Sequence, residues 1–319
     1  MSKIFENVSR KSNLITGHLN PDGDAIGSAL AFKLILDSKG FNSDVCFDIS
    51  GKLPSNLNHL PLDLISNTPN KSYDNVYVFD CGNSNRLGTL ESLALKANKV
   101  FVIDHHIDPS FGDFQVIDTS AASTTQVLYR EILSSGILID KNIANCLMTG
   151  LISDTGRFQY RNTNYEVFQM AANLMNYDAE LTAINENIFS SIPLNAIKLQ
   201  GEVLNRIQLY DKEKLVVSHI MQKDYSDFSI EESELEFLID SIRLVKESNV
   251  ALLLKEQRNG SFRGSLRSRD KKDVQKIASL FGGGGHKAAS GFTSPLTIEE
   301  ITKKVKDGIK SQTWFLPFK

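Results

Sequence analysis

Within GHLNPDGDAIGS, at residues 17–28, His18, Asp22 and Asp24 crowd three potential metal donors onto one turn. Further along the chain Asp80 stands in VFDCGN, Asp104, His105 and His106 in VIDHH, and Asp154 in ISDTGRF. So many carboxylates cannot share a cleft in ionised form unless cations offset their repulsion. Histidine and aspartate without thiolate suit borderline-hard divalent ions, Mn²⁺ first and Mg²⁺ or Co²⁺ as alternatives, whereas structural zinc would normally recruit cysteine. Two ions about 3.5–4 Å apart, sharing a carboxylate, form the arrangement that grips attacking and leaving oxygens in phosphoryl displacement. Each motif alone has a plain structural alternative: NPDG is a turn signal, DHH a surface loop, and the aspartate of SDTG a helix cap.

These residues belong together only if the chain folds to bring them together. NLIT at 13–16, DVCF at 44–47, VYVF at 76–79 and VFVI at 100–103 are apolar, β-branched or aromatic runs of strand length. DAIGSALAFKLILDSKG between the first two has helical spacing and ends on Gly40, while STTQVLYREILSS and NIANCLMTGLIS read as further helices. Strands alternating with helices predict a mainly parallel sheet with helices on both faces. Ligands of such sheets bind beyond the carboxyl ends of the strands. His18 then follows the first strand, Asp80 closes the third and Asp104, His105 and His106 close the fourth, with Asp154 after a helix. Asp80, central in the sheet, is the natural bridge between two ions.

The rest of the chain reads differently. Residues 251–319 hold 14 Lys and Arg against 6 Asp and Glu; with −3 overall, that local excess of 8 leaves −11 on the first 250 residues. An acidic part joined to a basic part suits metal in one and an anion in the other, although two solvated faces would look the same. KLVVSHI, VALLLKEQ and SFRGSLRSR read as strands, the last two paired across RNG, and DVQKIASLF as a helix running into Gly282, Gly283, Gly284, Gly285 and His286. Successive glycine amides can form an anion-binding nest, and Arg267 can offer a bidentate fork to phosphate. Together with His286 they predict a substrate clamp. Pro193 in SSIPLN marks the division, giving residues 1–185 as a catalytic domain, 186–200 as a linker and 201–319 as a smaller α/β substrate domain, with the active cleft between them.

In this order the motifs GHLNPDGDAIGSALAF, VFDCGN, VIDHH, ISDTGRF, SLRSR and FGGGGHKAASGF resemble those of DHH phosphoesterases carrying a DHHA1 domain. The resemblance spans nearly the whole chain and is nearest to the short bacterial oligoribonucleases acting on nanoRNA, many of which also dephosphorylate 3′-phosphoadenosine 5′-phosphate (pAp). It implies His18, Asp22 and Asp80 as ligands of one metal and Asp24, Asp80, His105 and Asp154 as ligands of the other. It further implies that His106 faces the phosphate, that Asp104 orients a neighbouring histidine, and that GGGGH is the DHHA1 signature.

The expected activity is hydrolysis of short RNA and pAp by a water activated between two metal ions. A phosphodiesterase of cyclic or linear dinucleotides, a pyrophosphatase or polyphosphatase, and a non-catalytic nucleotide-binding module are the competing readings. The complete set of donors argues against the last of these. With no run of about 18 apolar residues and no secretory leader at the amino terminus, a cytoplasmic protein without a membrane span is expected. Cys46, Cys81 and Cys146 fit no paired spacing and read as reduced core thiols. His59 and His219 stand alone, WFLPF at 314–318 reads as a docked terminal segment, and the oligomeric state is left open.

Overall fold

Val76 and Val78 face one side of the third strand and Tyr77 and Phe79 the other, and that period of two builds the first sheet. The computed structural model describes residues 3–49, 53–66, 68–106, 109–235, 237–269 and 272–312, so WFLPF lies outside the described residues. The chain divides into two compact units, Met1–Ser191 and Ile192–Lys319.

In the first unit, strands β1 (Asn13–Gly17), β2 (Ser43–Val45), β3 (Asn75–Phe79), β4 (Lys99–Asp104) and β5 (Phe114–Ile117) form one sheet in the order β2-β1-β3-β4-β5. Every pairing is parallel. On one face Ile15, Tyr77, Phe79, Phe101 and Ile103 pack against the long helices Gly23–Ser38, Thr124–Ser134 and Lys141–Thr155. On the other, Leu14, Val76, Val78, Val100 and Val102 are covered by the 3₁₀ segment Ser84–Leu90 and the short helix Glu91–Leu95, through Leu87, Leu90 and Ala94. Both faces are dry, which is why these strands read as continuous apolar runs.

Three details differ from the sequence expectation. The second strand stops at Val45, where the register with β1 ends, although the Cys46 N–H still reaches Ile15 O at 3.0 Å. β5 carries no clear strand signal, since FQVI lies half-exposed at the sheet edge. Asp154 sits inside the last turn of the helix Lys141–Thr155 rather than after it, and Gly156, at φ 53°, ends that helix in the left-handed region.

The second unit holds β6 (Gln208–Tyr210), β7 (Leu215–Ile220), β8 (Val250–Glu256), β9 (Phe262–Ser268), β10 (Gly284–Gly285) and β11 (Ala289–Ser294) in the order β10-β11-β9-β8-β7-β6. The sheet is mixed: β7 and β8 run parallel, whereas β8 and β9 form the expected antiparallel pair. Leu252, Leu254 and Leu266 pack against the helices Val274–Ser279 and Ile298–Ser311, and Ala251 and Leu253 against Leu194–Asn205 and Leu238–Ile242. Cys46, Cys81 and Cys146 are buried free thiols, and among the described residues no helix is long and apolar enough to cross a membrane.

An ion pair between Arg206 and Asp224 stitches this unit. Arg206 Nη1 and Nη2 donate to the two oxygens of Asp224 at 2.5 and 2.8 Å, and Asp224 Oδ2 also accepts the Met221 N–H at 2.8 Å. Burial works upward on the Asp224 carboxyl, but the Arg206 and Met221 bonds outweigh it and hold the pKa below the usual value. A depressed carboxyl stabilises the fold above its unfolded pKa and loses that contribution as pH falls. Asp224→Asn is therefore expected to cost about 2 kcal/mol at pH 7. In urea titrations the gap to wild type should close towards pH 3; a gap that does not change with pH would contradict this account.

Candidate metal centre

The sheet order reverses between β1 and β3, and it is at such a switch point that the loops diverge and leave a crevice. His18 leaves β1 and Asp80 leaves β3 on its two sides. Asp80 takes φ 55°, a left-handed conformation uncommon outside glycine, with its N–H bonded to Ile103 O at 3.1 Å. That bend turns a strand-end side chain into the crevice.

The site residues of the first unit come together in overlapping groups. Donor atoms of His18, Asp22 and Asp80 lie within 4.8 Å of one another, as do those of Asp24, His105 and Asp154, and those of Asp80, Asp104, His105 and His106. Asp80 belongs to two of these groups and uses its oxygens separately. Oδ2 lies 3.6 Å from His18 Nε2, while Oδ1 lies 3.7 Å from His105 Nε2 and 3.3 Å from His106 Nδ1.

The imidazoles are oriented from behind. His18 Nδ1 lies 2.9 Å from Leu19 O and His105 Nδ1 3.4 Å from Ala121 O, so a proton on Nδ1 leaves each Nε2 lone pair directed at the acids. His106 Nδ1 lies 2.7 Å from Asp104 Oδ1, which also accepts the N–H groups of His105 and His106 at 2.7 and 3.1 Å. Asp22 caps the helix Gly23–Ser38 through Oδ1, and its Oδ2 lies 3.9 Å from His18 Nε2.

Electrostatics ask for positive charge here. Burial, then the charges of Asp154 and Asp80, push the Asp24 carboxyl well above its usual pKa, and burial raises Asp154 to about 6. Asp80 goes the other way: burial works upward, but the bonds from His106 and His18 hold it well below the normal range. Burial alone would lower the histidines, yet the surrounding aspartates raise His18 and His106 to about 10 and His105 to about 11. Oriented Nε2 atoms, buried carboxylates and a centrally shared aspartate fit two divalent cations.

In the second unit Gly284 and Gly285 form β10. His286 follows on an exposed turn, its N–H bonded to Ala289 O at 2.7 Å, and Ala289 is the register partner of Arg267. Gly285, His286 and Arg267 thus share one end of the sheet. The Arg267 Nε lies 3.9 Å from Asp240, and its Nη1 donates to Leu266 O at 3.2 Å. The glycines have unlike reasons. A Cβ on Gly283 would stand 2.2 Å from Gly291 O, and Gly285 has φ 133°, so both are needed by the backbone. Gly284 has open space around it.

Sequence reasoning passed over Thr124 and Thr125. The Thr124 and Thr125 N–H groups donate to the two oxygens of Asp24 at 2.6 and 2.9 Å, and the Thr124 hydroxyl donates to Asp80 Oδ1 at 3.2 Å. Hydroxyl residues at a helix start read as a cap, and nothing in their spacing points to the acids they hold.

A parallel sheet with acids and imidazoles gathered at its switch point is suited to holding divalent cations beside a ligand. The chain belongs to the DHH family and carries a DHHA1 domain: residues 12–151 match the N-terminal domain of the DHH family and residues 212–311 the DHHA1 domain. It is 30% identical to the bifunctional oligoribonuclease and PAP phosphatase NrnA of Thermus thermophilus, over 93% of this chain and 89% of that protein. It is 28% identical to a probable bifunctional oligoribonuclease and PAP phosphatase NrnA of Streptococcus mutans, over 93% of this chain and 94% of the relative. The crystal structure of an exopolyphosphatase-related protein from Bacteroides fragilis shares the fold, with a TM-score of 0.87 at 24% identity over 97% of this chain and 94% of the other.

Proposed function

We propose that the protein hydrolyses short RNA oligonucleotides and pAp, with His18, Asp22 and Asp80 holding one divalent cation and Asp24, Asp80, His105 and Asp154 the other. The observation that carries this reading is Asp80, each of whose oxygens faces a separate imidazole Nε2. The substrate class is supported by the names of the relatives in Thermus thermophilus and Streptococcus mutans. When bound, such cations, Mn²⁺ first, supply Lewis acidity that makes a water nucleophilic near neutral pH and offsets charge on the phosphoryl oxygens.

The chain's own groups do the rest. Asp104 fixes the His106 proton on Nδ1, which leaves Nε2 to face a phosphoryl oxygen. From there the imidazole stabilises or protonates the phosphoryl group as the leaving oxygen departs. In the second unit Arg267, the Gly282–Gly285 amides and His286 grip a phosphate or nucleotide end, which favours short substrates.

The test is hydrolysis, with Mn²⁺, of RNA di- to pentanucleotides, a longer RNA, a linear and a cyclic dinucleotide, pAp and pyrophosphate, with Asp80→Ala as the blank. Turnover of the shortest RNAs and pAp supports the reading. Preference for a dinucleotide, or for pyrophosphate alone, replaces the substrate; no metal-dependent turnover at all would leave a binding module.

The glycine loop gives a sharper check. Gly284→Ala is expected to keep wild-type stability and to raise KM about tenfold, one lost phosphate contact of about 1.4 kcal/mol. Gly283→Ala is expected to lower the melting temperature of the second unit, because its Cβ meets backbone. An unchanged KM in Gly284→Ala would remove the loop from the substrate.

A further inference from the structure

The residues of the centre come from β1, β3, β4 and two helices, yet one segment without a titratable side chain reaches most of them. Ala121 O faces His105 Nδ1 at 3.4 Å. Ala122 O accepts from Asn162 Nδ2 at 3.0 Å, and the same amide group donates to Asp154 O at 3.0 Å. The Thr124 and Thr125 N–H groups bind Asp24, and the Thr124 hydroxyl binds Asp80. Ala121–Thr125 therefore touches Asp24, Asp80 and His105 directly and the backbone of Asp154 through one side chain.

The segment is itself held stiffly. Ser123, Thr124 and Thr125 are fully buried. Ala122 N–H donates to Gln126 Oε1 at 2.7 Å, Ser123 Oγ accepts from Gln126 N at 3.1 Å, and Ser123 Oγ and Thr125 Oγ1 lie 2.8 Å apart. On the far side Gly150 leaves just enough room: a Cβ there would lie 2.4 Å from Thr125 Cγ2 and 2.5 Å from Asp24 Oδ1. Both Asp24 oxygens are thus fixed by backbone amides, so its free lone pairs have one direction left.

We propose that Ala121–Thr125 is the brace that aligns the metal-holding carboxylates, with Thr124 as a positioning residue that fixes the Asp80 oxygen facing His105 and His106. The proposal rests on the two-cation reading given above and adds the element that orients it. The hydroxyl donates one hydrogen bond to Asp80, which orients that carboxylate before any cation arrives. Partners placed behind metal ligands change affinity by about 10–100-fold when removed.

The experiment titrates Mn²⁺ into metal-stripped full-length protein without substrate, by calorimetry and by electron paramagnetic resonance, for wild type, Thr124→Val, Thr124→Ser and Asn162→Ala. Thr124→Val keeps shape and backbone but loses the hydroxyl, and is expected to weaken Mn²⁺ binding about tenfold. Thr124→Ser should restore it, and Asn162→Ala, on the exposed side of the brace, should weaken it too. Wild-type affinity in whichever of Thr124→Val and Asn162→Ala folds overturns the brace, as does a Thr124→Ser variant no better than valine. Both results leave the phosphoesterase reading standing. Failure of wild type to bind Mn²⁺ at all overturns that reading, and the brace with it.

Discussion

Asp80→Asn is expected to lower kcat/KM by about 10³-fold or more, equivalent to about 4 kcal/mol of lost transition-state stabilisation, with the fold retained. Asparagine is the informative replacement because it keeps the volume and tolerates the left-handed φ of 55° that alanine would adopt only with strain. What it loses is the negative charge. Asp80 is 3% exposed, and its carboxylate faces His18, His105 and His106 together. An amide there presents an oxygen to one side and an NH₂ to the other, so one Nε2 loses its shared acceptor. A second readout separates chemistry from folding. Ligands that bind only the native state raise its melting temperature, so Mn²⁺ should stabilise wild type and leave Asp80→Asn nearly unmoved. Turnover within about tenfold of wild type would sink the shared-carboxylate account.

Gly27→Val is expected to destabilise the first unit by about 3 kcal/mol or more, the upper range for overpacking a close contact. Gly27 lies in the helix Gly23–Ser38 where it crosses Lys141–Thr155. A Cβ there would stand 2.5 Å from Cys146 O and 3.3 Å from Gly150 N. Those are backbone atoms, which cannot rotate aside, so the helices must part. The consequence reaches the site: one helix bears Asp24 near its start and the other Asp154 near its end. Parting them stretches the group formed by Asp24, His105 and Asp154. Urea denaturation should show the loss of stability, and Mn²⁺ titration a weaker affinity in the fraction that remains folded. A variant within about 1 kcal/mol of wild type would mean that the crossing relaxes more easily than its geometry indicates.

Much of this was legible in the chain. β1, β3 and β4 announce themselves because both of their faces are dry, and the motifs that follow them sit at their carboxyl ends as parallel topology requires. β5 did not announce itself, since a short edge strand with half-exposed residues has no period to detect. Thr124 and Thr125 gave no signal for a different reason. Two of their three bonds to the acids come from backbone N–H, which every residue but proline owns. Gly283, read as a substrate contact, is also required by the close approach of Gly291. Spacing cannot separate a glycine that admits a ligand from one that admits another strand.

The sequence by itself determined the parallel first sheet, the strand ends that carry chemistry and the kind of ion their donors suit, because side-chain periodicity and ligand type are local properties. Only the tertiary structure decided which oxygen of Asp80 faces which imidazole, which ring nitrogens face inward and which helices touch at glycine. Those are relations between residues far apart in the chain. They are set by backbone approach and by hydrogen bonds such as Thr124 to Asp80, for which no local pattern exists.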